Sequence, residues 1–135
     1  MKKAKFVLLL SVLAILLSAC GGTVTGVEIV ECESNLYTQS EIRDAIDEAL
    51  DYFRREFSGC TLTDIGYAGD EKNQGYSDWA TRNGGDDVIV LVSSFDVGPS
   101  GGDGSLNPNG TYTGWKWILI RERGGKWRHM DHGYG

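Results

Sequence analysis

The chain has 135 residues, with 13 Lys and Arg against 19 Asp and Glu, and a net charge of −6. This acidic balance argues against nucleic acid and other polyanions as partners. The length suits one domain around one hydrophobic core.

The N-terminus reads as a secretory signal over residues 1–19. Lys2, Lys3 and Lys5 form a basic end, an uncharged and mostly apolar run follows from Phe6 to Leu17, and Ser18 and Ala19 are small residues before a cleavage point. The apolar run is too short to span a membrane comfortably. Leu17-Ser18-Ala19-Cys20 resembles the lipobox of bacterial lipoproteins, in which the cysteine thiol is acylated and becomes the new N-terminus. That resemblance implies lipidation at Cys20 and a location at the cell membrane facing the extracellular side. Behind the lipid, Gly21-Gly22-Thr23 reads as a short stalk, residues 20–23, and the remaining length as a single domain at 24–135. Two or more acyl chains would make the anchor stable. Without the three signal lysines, ten basic residues face 19 acidic ones, a mature charge of about −9. Lys116, Arg121, Arg123, Lys126 and Arg128 crowd the C-terminal end, which reads as a basic hairpin with solvated faces.

Val24 to Cys32 alternates well enough for a strand. Thr38 and Glu41 have the spacing of a capping box, and Tyr37 and Ile42 that of a hydrophobic staple. Ile42, Ala45, Ile46, Ala49, Leu50, Phe53 and Phe57 then recur at steps of three and four, so a helix is expected from about 39 to 57, stopped at Gly59. A strand over 61–68, a short helix over 77–83 and a strand over 86–95 covered on both faces come next. Two final strands are expected around a Gly124-Gly125 turn. Together these predict an α+β fold, with one long helix packed on a curved antiparallel sheet, similar to cystatin-like and NTF2-like rolls.

Cys32 and Cys60 invite a disulfide outside the cytoplasm. An intact helix between them would separate the two by about 33 Å at about 1.5 Å per residue, and the chain from Cys32 to Thr38 reaches at most about 20 Å. A bridge needs Cα atoms within about 7 Å, so two buried thiols are expected.

His129, Asp131 and His132 are three potential metal ligands in four residues. On a regular strand His129 and Asp131 share one face and His132 takes the other, so no metal site is expected. The Gly124-Gly125 turn would set His129 opposite Ile120 and His132 opposite Trp117. A small hydrolase using His129 and Asp131, with Ser93 or Ser94, is the alternative function, though no nucleophile elbow is present. No cofactor motif is found. Asp103, Ser105, Asn107 and Asn109 hint at a calcium loop, but Pro108 and Gly114 stand where an EF-hand needs glycine and a carboxylate.

Trp115, Trp117 and Leu119 share one sheet face, where the indoles either fill the core or line a concave pocket. Residues 96–111 are rich in Gly, Pro, Asn and Asp yet keep apolar handholds at Val97 and Leu106, which predicts an ordered loop with Asp96 and Asp103 bonded to its own amides. Trp115, Trp117, His129 and Asp103 are therefore the candidate ligand-binding residues, and no catalytic residue is assigned.

VIVLVSSFDV, GGDGSLNPNGTYTGWKWILIR and GGKWRHMDHGYG, with the helix and GCTL, resemble a family of small uncharacterised lipoproteins of Gram-positive, Clostridia-type bacteria. The resemblance implies localisation and lends no site residue. The expected function is a membrane-anchored extracellular domain that binds a small ligand or a cell-envelope protein.

Overall fold

A computed structural model describes residues 21–134. The signal segment and Cys20 lie outside the described residues. Helix α1 (Gln39–Glu56) begins with the expected capping box: Thr38 Oγ1 accepts from the Glu41 amide at 3.1 Å, and Glu41 Oε1 accepts from the Thr38 amide at 3.0 Å. Two of the helix's orphan amides are thereby satisfied. Its buried stripe runs from Ile42 through Phe53, and Gly59 turns the chain away at φ +76°.

The five strands are β1 (Glu28–Val30), β2 (Cys60–Tyr67), β3 (Asp87–Val97), β4 (Thr111–Arg121) and β5 (Arg128–Gly133), in that spatial order. The fold is α+β, but its sheet is mixed and not antiparallel throughout, because β1 runs parallel to β2. The physical reason is the connection. Helix α1 carries the chain back along the sheet before β2 begins, which makes the segment a β-α-β crossover. The first strand is also shorter than expected. Gly26 at φ +79° and a Val27 amide bonded to Val24 O turn the chain just ahead of it.

Each antiparallel pair contains one irregularity. Thr63 is an extra residue in β2, Thr113-Gly114 oppose Ser94 alone, and Met130 is an extra residue in β5. Gly114 adopts φ +67°, a conformation that disfavours side chains. Bulges bend strands and raise their twist, so the sheet curves around α1.

The main core lies between α1 and the sheet, with Phe53, Ile65, Ile89, Leu91, Phe95, Trp117 and Leu119 inaccessible. Burying each such side chain is worth about 1.5–3 kcal/mol. A smaller cluster of Ala80, Val88, Ile118 and Ile120 covers the other face beneath α2 (Asp70–Gln74) and α3 (Ser77–Arg82). So β3 is covered on both sides, as its unbroken apolar run suggests. Where β2 ends, buried Asn73 takes over its ladder. Its Nδ2 donates to Val88 O at 2.9 Å, and its Oδ1 accepts from the Val90 amide at 2.8 Å.

Cys32 and Cys60 are free thiols at opposite ends of α1. Cys60 is buried, whereas Cys32 is only partly so. Arg121 departs from the expected solvated basic face. Its side chain is 12% exposed, paired with Glu41 and with Asp87 at 2.9 Å, and stacked 4.3 Å from the Trp127 ring centre. The carboxylates on α1 and β3 draw it inward.

Candidate ligand cavity

A cavity of about 230 Å³ opens where the C-terminal end of α1 meets the 98–110 loop and strands β4 and β5. The helix supplies Tyr52 and Glu56, with Phe57 and Ser58 just beyond its end, and Cys60 forms part of the wall. Gly102, Asp103, Ser105 and Leu106 close it from the loop, and Trp115 and His132 from the sheet.

The loop is built from turns. Its backbone is tied by bonds from Gly101 to Gly98, Leu106 to Gly101 and Asn109 to Gly98, and the Gly98 amide donates to Gly59 O at 2.9 Å. Asp103 behaves as expected: its carboxylate accepts from the Ser105 hydroxyl and from the Ser105 amide at 2.9 Å. Those bonds hold it below the usual carboxylate range. Asp96 differs. It accepts from the Thr111 hydroxyl at 2.7 Å, because both residues sit paired in strands and not in the loop.

The two histidines overturn the expected strand geometry. His132 does face Trp117, but His129 pairs with Leu119, not Ile120. Met130 bulges between the two registers, so the alternation slips by one and both rings reach the α1 side. His129 Nε2 and His132 Nδ1 lie 3.0 Å apart, and the His129 ring stacks on Tyr52 at 3.9 Å. Burial first, and then the charge of His132, push the His129 pKa down to about 4, while burial lowers that of His132. Near neutral pH both rings are uncharged, and one donates its N–H to the other. Among the described residues no three His, Cys, Asp or Glu side chains gather as a metal group.

The tryptophans divide. Trp117 is inaccessible, and its Nε1 donates to Ser93 Oγ at 2.8 Å, so it belongs to the core. Trp127 Nε1 donates to Glu41 O at 3.1 Å. Trp115 lines the cavity, and its Nε1 is the one side-chain polar atom buried without a partner among the described residues. An unpaired buried donor is costly.

The hydrolase residues do not assemble. Asp131 Oδ1 accepts from the His132 amide at 2.8 Å, while the ring nitrogen of His129 faces His132. Ser93 is 1% exposed, with its hydroxyl donating to Trp115 O and accepting from Trp117. Ser94 faces the opposite side of β3. Cys60 offers no ready nucleophile either, since burial and then the Asp103 charge raise its pKa.

Of the four candidate ligand residues, Trp115 and Asp103 line the cavity, His129 stands behind His132, and Trp117 lies in the core. Sequence reasoning missed Tyr52, Glu56 and Phe57, because the helical period marks faces of a helix and not what its end abuts. A larger groove of about 490 Å³ separates Asp44, Asp47 and Asp51 from Lys126, but its one aromatic wall, Trp127, is buried and already bonded. No protein-family model, curated protein or solved structure matches the chain.

Proposed function

We propose that this chain is a lipid-anchored, extracellular binding domain whose cavity at the end of α1 takes a small ligand. The observation that carries the reading is a cavity of about 230 Å³ with both aromatic and polar sides, walled by Phe57, Trp115, Glu56 and Asp103. Small-molecule sites combine such walls with a few polar groups that fix orientation. The anchor reading draws support from the basic, apolar and small-residue order that ends at Cys20. Kinship to the Clostridia-type lipoprotein family belongs to the same proposal. So does a roll of the cystatin-like or NTF2-like kind, favoured by one long helix across a bulged sheet, with the parallel β1 as a departure.

Fractionation tests the anchor. Cys20→Ala should give an unprocessed precursor or released protein, and membrane retention of correctly cleaved variant would contradict the assignment. For the ligand, a panel of small polar metabolites is screened by thermal shift against the parent and Trp115→Phe. Compounds that raise the melting temperature of the parent more than that of the variant support the cavity, and a panel without such compounds argues against it.

A further inference from the structure

Resting on the cavity reading above, we infer that the ligand is a small organic cation, an ammonium compound. Three sources of negative potential converge on the cavity. Glu56 comes from the last turn of α1 and Asp103 from the loop, and no lysine or arginine is among the lining residues. The third is the helix itself, whose C-terminal end carries partial negative charge.

The two basic residues of that last turn are drawn back along the helix. Arg54 pairs with the Asp51 carboxylate, and Arg55 Nε donates to Asp51 O at 3.3 Å. Arg55 also lies over Tyr52, 6.0 Å from the ring centre, while His129 stacks on that ring. His132, at the wall, is held uncharged near neutral pH by burial and does not oppose a cation. Cys60 remains a neutral thiol.

The aromatic wall favours the same charge. Phe57 and Trp115 lie edge to face, with ring centres 6.1 Å apart, and aromatic faces attract ammonium groups most strongly where water is excluded. At about 30 Å³ per water molecule, a volume near 230 Å³ suits a compound the size of choline. The net charge of −6 steers cations toward the molecule as a whole.

Calorimetric titration of the purified protein with choline, its neutral isostere dimethylbutanol, and acetate tests the assignment at low ionic strength, where screening is weakest. Choline should bind roughly tenfold more tightly than dimethylbutanol, and acetate should not bind. The double variant Glu56→Gln/Asp103→Asn changes two exposed side chains, and the carboxamide introduced at the loop position keeps an acceptor for Ser105. It should weaken choline and leave dimethylbutanol unchanged. Equal affinity for choline and its isostere, or preference for acetate, would overturn the cation assignment while leaving a ligand cavity. Binding of none of the three, together with no stabilising compound in the metabolite panel, would overturn both.

Discussion

His129 Nε2 and His132 Nδ1 sit 3.0 Å apart because Met130 bulges out of the β4–β5 ladder and turns both rings toward α1. The pair has a pH signature. The unfolded chain binds a proton at His129 near its ordinary value of 6.5, whereas the folded protein resists until about 4. Between these values the unfolded state holds more protons, so stability should fall as pH drops from about 6.5 to about 4. The partly exposed rings are partly screened, so the loss attributable to the pair should be about 1–2 kcal/mol. Denaturation midpoints across this window would show it. His129→Gln should flatten the slope, and a parent-like slope in that variant would assign the effect elsewhere.

Ser93 is the acceptor that allows an inaccessible tryptophan into the core. Ser93→Ala leaves Trp117 Nε1–H buried and unpaired, which should cost about 1–3 kcal/mol in urea unfolding. Ser93→Thr keeps the hydroxyl and should recover part of that loss. Equal destabilisation by both variants would point to packing and not to the bond.

Arg121 ties α1 to β3 through Glu41 and Asp87 while covering the Trp127 ring. Arg121→Met retains apolar cover but strands two carboxylates, so a loss of about 2 kcal/mol is expected. The loss should shrink in Glu41→Gln/Arg121→Met, since one stranded charge is removed. A double variant no more stable than the single one would contradict this account.

The 98–110 loop is an ordered part of the cavity wall as well as a connection. Replacing it with a few glycines removes the partly buried Leu106, the Asn107 amide bond to the Tyr112 hydroxyl at 3.2 Å and the Gly98 bond to Gly59. Stability should fall by about 2 kcal/mol, since the entropy gained from a shorter loop is below about 1 kcal/mol. An unchanged melting temperature, with unprotected amides across 98–110 in the parent, would make the loop a loose connection.

Much of this arrangement is legible in the residues. Thr38 and Glu41 mark the start of α1, the apolar stripe from Ile42 marks its buried face, and the Val88–Leu91 run announces a strand covered twice. Local signals of that kind need only neighbours in sequence. The parallel β1 was not legible, because pairing direction follows from where a helix returns the chain. Nor was the Met130 bulge, as nothing in Arg128-His129-Met130-Asp131 distinguishes a regular strand from one with an extra residue. That single residue decides whether two histidines converge. Asp70 and Asn73 were hidden in a polar stretch, although one accepts bonds from Ser34, Asn35 and Tyr67 and the other completes a strand ladder.

Ligand binding at the end of α1 is tested most directly by the indole N–H resonances of the protein during titration with choline. Trp117 and Trp127 already donate inside the chain, to Ser93 and Glu41, whereas Trp115 lines the cavity. The account predicts that the Trp115 signal moves progressively and saturates while the Trp117 and Trp127 signals stay in place. A Trp115 signal that does not move at saturating choline or with any stabilising compound from the panel, or equal movement of all three indoles, would contradict it.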